Sequence, residues 1–214
     1  ISTLLFSFSP AYANNKALLT AEAPIIVAEK LPTAVFCFGT VKEIITKDTK
    51  VTAIIITEDG QNSDKRFNIS EETVIIDNQS TIAENLTSIK VGDKIAVYTS
   101  PISTFSIPPQ SSAYVILTNI QEKAAAKLVK VHDITKLEDG SLKINDVDNQ
   151  YSVSITKDTV ISPYRTKQFV SMDSIEQDDY ILFWSEIMTL SLPAQTTANN
   201  VVLLKGFDFG SFKK

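Results

Sequence analysis

A chain of 214 residues with 43% hydrophobic and 21% charged residues has ordinary globular composition and is long enough for one large core or two small ones. That composition excludes an intrinsically disordered chain. The net charge of −5 leaves no basic surplus to displace counterions from a phosphate backbone, which argues against nucleic acid and acidic membrane surfaces as partners.

Residues 1–13 carry no charge, are rich in Leu, Phe and Ser, and close on Ala11-Tyr12-Ala13, the small-x-small pattern that signal peptidase accepts. They read as the remnant of a signal peptide, with a short buried strand as the alternative. The missing Met and basic n-region lead us to expect an N-terminally truncated chain. No run approaches the roughly 20 apolar residues of a transmembrane helix, so no membrane span is expected. Residues 14–33 read as a linker, with 25–27 as an optional added strand.

Strand signals follow. Val35-Phe36-Cys37-Phe38 is an apolar run holding the one cysteine, which rules out an intrachain disulfide and reads as a small buried hydrophobe with no cationic activator beside it. Short β-branched or aromatic runs occupy 41–45, 51–57, 66–69, 73–76, 94–99 and 113–119, separated by turns such as Glu58-Asp59-Gly60 and Val91-Gly92-Asp93. Residues 121–127 are helix-compatible and read as a joint. Beyond it, runs at 128–134 and 142–144 flank Glu138-Asp139-Gly140-Ser141, a hairpin turn.

The order of these signals repeats. Asn68-Ile69-Ser70-Glu71-Glu72-Thr73-Val74-Ile75 returns 86 positions later as Ser154-Ile155-Thr156-Lys157-Asp158-Thr159-Val160-Ile161, and Ser88-Ile89-Lys90-Val91-Gly92-Asp93 returns as Ser174-Ile175-Glu176-Gln177-Asp178-Asp179. Thr104-Phe105-Ser106-Ile107-Pro108-Pro109-Gln110 returns 85 positions later as Thr189-Leu190-Ser191-Leu192-Pro193-Ala194-Gln195. Three blocks in one order predict an all-β chain of two small closed or nearly closed barrels of about 85 residues each, at 34–121 and 122–206. Residues 207–214 form a C-terminal tail that either docks on the second unit or leads onward.

The order Gly39-x-Val41, Asn68-Ile69-Ser70-Glu71-Glu72-Thr73, Val91-Gly92-Asp93-Lys94-Ile95 and Tyr98-x-Ser100-Pro101-x-x-Thr104-x-Ser106-x-Pro108-Pro109-Gln110-Ser111 resembles uncharacterised repeats of secreted Gram-positive bacterial proteins. In some of those the repeat accompanies a small cell-surface domain named after a copper amine oxidase N-terminal region. The resemblance covers 34–205 and implies two tandem OB-like (oligonucleotide/oligosaccharide-binding-like) β-barrels, secreted or cell-wall associated. It brings no catalytic residues. The second unit departs from the pattern at Glu186 and Ala194, and a bacterial source would make the sequons at Asn68, Asn78 and Asn85 of little meaning.

Catalysis would show as a base beside a nucleophile, a carboxylate pair or clustered ligands. His132 is the one histidine, and alternation places it with Lys130 on the strand face opposite Val129 and Val131, exposed and without co-ligands for zinc. Glu71-Glu72 and Asp178-Asp179 fall at turns, where acids are favoured and adjacent side chains diverge. Asn145-Asp146-Val147-Asp148-Asn149 lacks the glycine and terminal acid of an EF-hand and reads as a hairpin turn, with weak calcium binding at Asp146 and Asp148 left open. At least one of Phe183 and Trp184 belongs to the core, while Tyr98 and Tyr180 could face outward; core packing is the favoured reading of these aromatics, with sugar or peptide contact the functional alternative for any exposed ring.

The sharpest motif is Thr-x-Ser-x-Pro-x-Gln. A period of two sets Thr104, Ser106, Pro108 and Gln110 against Phe105, Ile107 and Pro109, and Thr189, Ser191, Pro193 and Gln195 against Leu190, Leu192 and Ala194. Proline cannot donate a ladder hydrogen bond, so an edge strand or extended cover is expected, its apolar side plugging the core. Thr104, Ser106, Gln110, Thr189, Ser191 and Gln195 are then the candidate ligand-binding strip, unless they satisfy buried backbone groups. No catalytic residue, metal or cofactor is expected. The reading is a non-enzymatic module that binds a cell-wall polysaccharide, a peptide or an extracellular protein; the alternatives are a regulatory or accessory domain of an extracellular enzyme, or a structural spacer.

Overall fold

The computed structural model describes residues 30–120 and 125–209. The leader at 1–13 and the optional strand at 25–27 lie outside them, as do 121–124 of the joint and 210–214 of the tail. The described chain is all-β, its only helical pieces being single 3₁₀ turns at Leu86–Ser88 and Met172–Ser174.

The first sheet comprises β1 (Val35–Lys47), β2 (Lys50–Glu58), β3 (Asp64–Asn68), β4 (Val74–Asp77), β5 (Lys94–Thr99) and β6 (Gln110–Thr118), in the order β3-β2-β1-β5-β6-β4. Strand β3 also pairs with β6, which closes a barrel of five strands, β1, β2, β3, β5 and β6, and leaves those strands no open edge. Cys37, Ile54, Ile56, Phe67, Ile95, Val97 and Ile116 fill its core. Gly39 allows β1 to cross β2 closely, because a Cβ there would run into the Thr57 carbonyl.

The second sheet comprises β7 (Lys127–Lys136), β8 (Leu142–Asp146), β9 (Tyr151–Ile155), β10 (Val160–Pro163), β11 (Tyr180–Trp184), β12 (Ala194–Thr197) and β13 (Asn200–Leu204), in the order β10-β13-β11-β7-β8-β9-β12. Its registers fall at the sequence offsets. Arg66 opposite Gln110 has its counterpart in Ser152 opposite Gln195, and Val74 opposite Val115 in Val160 opposite Asn200. The register slips between Val41 and Glu43 in β1 and between Val131 and Asp133 in β7. The turn before β5 uses Gly92 at φ 96° and the turn before β11 uses Asp178 at φ 69°; their N–H groups donate to Val41 O (2.8 Å) and Val131 O (2.9 Å). Val131, Ile144, Val153, Ile155, Ile181 and Phe183 form the core of this sheet.

A third core joins the two sheets. Ile76, Ala96, Tyr98 and Leu117 from the first pack with Leu182, Trp184, Val202 and Leu204 from the second. Strands β5 and β11 therefore bury both faces and read as continuous apolar runs rather than alternating ones. Polar groups in the seam are paired: Trp184 Nε1 donates to Asn78 O (2.9 Å) and Oδ1 (3.0 Å), and Ile75 N donates to the Tyr164 hydroxyl (3.1 Å).

This seam corrects two expectations and decides a third. Tyr98 and Tyr180 do not face outward; both are buried, and their hydroxyls donate to Ala126 O and Phe209 O, each at 2.8 Å. Lys127 opens β7 instead of belonging to a joint, and Ala126 is buried. The described start of the tail docks on both sheets, since Phe209 stacks on Tyr114 (5.0 Å between centroids) and meets Tyr180 edge-on (4.8 Å).

Candidate interaction site

Residues 100–109 run from β5 to β6, and residues 185–193 run from β11 to β12. Neither segment is a strand. Each is pinned at its base by a backbone bond, Thr104 N to Gln110 O and Thr189 N to Gln195 O, both 3.0 Å. Within the first loop, Thr104 Oγ1 accepts from Gln110 N (3.1 Å) and bonds Ser106 Oγ (2.7 Å), while Ser106 Oγ donates to Pro108 O (2.8 Å). Thr189, Ser191, Pro193 and Gln195 repeat the pattern at 2.8, 2.7 and 2.8 Å. The Ile107–Pro108 and Leu192–Pro193 bonds are cis.

The apolar plug expected of this motif is absent. Phe105, Ile107 and Leu190 stand fully in solvent, and Ile102, Ile187 and Leu192 are more than half exposed. The hydroxyls fold the segment into a loop, so the two-residue period of a strand no longer decides which side chains are buried. Thr104, Ser106, Thr189 and Ser191 are thus engaged in bonds within their own loops. Gln110 opens β6 opposite Arg66, and Gln195 lies in β12 opposite Ser152. The loops present Phe105 with Leu190 and Ile107 with Leu192, positions the motif spacing had assigned to the core, together with Ile102 and Ile187, all matched at an offset of 85.

The first loop joins two strands of the first sheet and the second joins two strands of the second. Ser100, Pro101 and Ile102 share a recess with Lys130 and Tyr180 at the start of β11, whereas the other loop follows Trp184 at its end. Five strand residues separate those ends by roughly 13 Å.

At the foot of the first loop lies a recess of about 110 Å³ containing Cys37, Lys65 and Pro109. Cys37 is buried, but contrary to expectation a cation does stand beside it: Lys65 Nζ lies 3.6 Å from Sγ and pairs with Glu58 at 2.8 Å. Burial pushes the thiol pKa up and Lys65 only partly opposes it, which makes Cys37 an unreactive group.

His132 is exposed on β7. Among the described residues no three His, Cys, Asp or Glu side chains are grouped to hold a metal. Asp179 accepts from Glu176 N (2.8 Å), and Glu71-Glu72 lie in a turn closed by Thr73, whose Oγ1 donates to Ala113 O (3.0 Å) as Thr159 Oγ1 does to Ala198 O (2.7 Å). Asp146 closes the turn after β8, accepting from the N–H groups of Asp148 (3.2 Å), Gln150 (2.8 Å) and Tyr151 (2.7 Å), and Asp148 Oδ2 accepts from Thr33 N (2.7 Å). Burial raises the Asp146 pKa, against the pull of those amides. Asp146 thus closes its own turn, and Asp148 ties that turn to Thr33.

Beside that turn, a cleft of about 340 Å³ separates the start of β1 from β7, lined by Phe36, Lys127, Asp148, Gln150 and Tyr151 among others. Lys127 is half-buried and its ammonium stands 5.7 Å from the Phe36 ring centroid. Burial lowers its pKa. Lys65 and Lys130, comparably shielded, pair with Glu58 and Asp178, whereas Lys127 has no ion-pair partner among the described residues. Sequence reasoning missed this group because it sits at the end of an alanine-rich stretch that reads as a joint. Comparison with known proteins returned no matching family model, no matching curated protein and no matching solved structure.

Proposed function

We propose that the chain is a non-enzymatic, secreted or cell-wall-associated binding module of two tandem OB-like barrels, gripping an extracellular protein or peptide through its two loop tips. One observation carries this reading: six large apolar side chains at matched positions are held in water by loops whose own hydroxyls are bonded internally. Exposed apolar surface loses about 25 cal/mol per Å² relative to burial, and clustered aromatic and aliphatic side chains on a fixed scaffold are the usual anchors of protein contacts. Three apolar side chains make each tip a small contact beside the ~800 Å² per partner of a standard interface, so binding through both tips gains through avidity.

The equal registers support reading β7 to β13 as a second barrel, with β12 and β13, separated only by Ala198 and Asn199, together taking the place of β6. The uncharged segment 1–13 and the resemblance support export. The test is affinity capture from native cell wall and culture medium, comparing the natural chain with a variant carrying Phe105→Ser, Ile107→Ser, Leu190→Ser and Leu192→Ser. The natural chain should retain proteins that the variant loses, with equal thermal melts. Identical capture by both would refute the tips as the binding element, and retention of polysaccharide alone would favour a glycan ligand.

A further inference from the structure

We propose that the cleft between β1 and β7 binds a hydroxylated monocarboxylate of the uronic-acid kind, with Lys127 as the partner of its carboxylate. The starting point is a charge without a counter-charge. A half-buried ammonium is disfavoured by desolvation unless an anion meets it, and none does among the described residues. An anionic ligand supplies a counter-charge that no described residue provides.

The surroundings restrict which anion. Lys130, Asp146 and Asp148 also line the cleft and leave it with no net positive charge, so a dianion such as phosphate meets more repulsion there than a single carboxylate set against Lys127. The remaining polar groups suit hydroxyls: Asp148 Oδ2 is engaged by Thr33 N, leaving Oδ1 as an acceptor, while the Gln150 carboxamide and the Tyr151 hydroxyl offer donors and acceptors. Phe36, partly exposed beneath the ammonium, provides an apolar edge. The volume, about 340 Å³, fits one sugar-sized molecule, and the cleft lies where two packed sheets meet, a common place for ligand sites. This site is separate from the loop tips and stands independently of the function proposed for them.

The probes are D-glucuronate, D-glucose and a glucuronate-containing oligosaccharide, titrated calorimetrically into the full chain. Glucuronate should bind saturably and at least tenfold more tightly than glucose. Lys127→Met should weaken it about 10- to 100-fold, the scale of one charge-assisted hydrogen bond, while Lys127→Arg should stay within a few-fold. Lys127→Gln replaces the Met variant if melting shows that Met impairs folding. Tighter binding of the oligosaccharide per uronate would place the ligand in a polymer, and equal binding would point to the free acid. The four-serine tip variant should bind glucuronate unchanged, which separates failure of this site from failure of the partner reading. Equal affinity for glucose and glucuronate, undiminished binding by the Met or Gln variant, or no saturation by about 20 mM would overturn the proposal.

Discussion

Asn78, fully buried just after β4, holds the seam between the sheets. Its Oδ1 accepts from Trp184 Nε1 and Ala126 N, both at 3.0 Å and both from the second half of the chain. In Asn78→Ala the Ala126 N–H is left buried and unpaired, about 1–3 kcal/mol. Trp184 Nε1 keeps the Asn78 carbonyl at 2.9 Å, so its share is smaller, about 0.5 kcal/mol. The emptied side-chain volume adds about 1 kcal/mol. A total near 3 kcal/mol, divided by a urea slope of about 2–3 kcal/mol/M, lowers the unfolding midpoint by about 1 M. Trp184 is the one tryptophan and lies in the seam, so its fluorescence reports the joint while far-UV circular dichroism reports both sheets. Both signals should move together to the lower midpoint. An unmoved midpoint, or fluorescence changing well before circular dichroism, would refute the claim that seam and sheets unfold as one.

The loops yield an inverted pattern: Phe105→Ala and Leu190→Ala should change stability by less than about 0.5 kcal/mol, whereas Thr104→Val and Thr189→Val should each lose about 0.5–1.5 kcal/mol in thermal melts. A large loss from Phe105→Ala would show that the tip is packed after all. Gly39→Ala forces a Cβ against the Thr57 carbonyl and should cost about 3 kcal/mol or more, read as poor soluble yield or a strongly lowered melting point; a normal melt would contradict the close crossing. Because burial raises the Cys37 pKa, the thiolate fraction at pH 7–8 lies below that of a free thiol, so iodoacetamide should label the native chain orders of magnitude more slowly than the urea-unfolded chain. Equal rates would show that the thiol is accessible.

The order of short β-branched runs and turn residues was enough to place most strands, because both act locally: alternation between neighbours, and a positive φ at Gly92, need no distant partner. The repeated blocks likewise predicted equal registers, since Thr73 and Thr159 each close their turn onto a carbonyl about 40 residues ahead in the same way. Single-residue environments were less legible. Tyr98 and Tyr180 looked free to face water because the surface that covers them comes from the other sheet and from Phe209. Lys65 reaches Cys37 from 28 residues away across the closed barrel, and Lys127 is stranded in a cleft by the meeting of two sheets. The Thr-x-Ser-x-Pro-x-Gln segments show the division most sharply. Their recurrence, composition and hydroxyl donors are sequence properties, but whether the alternating apolar residues point inward depends on the chain staying extended. Local hydroxyl-to-carbonyl bonds fold it into a loop instead, and that no described strand or sheet packs over Phe105 and Leu190, which leaves them in water, is decided only in the tertiary structure.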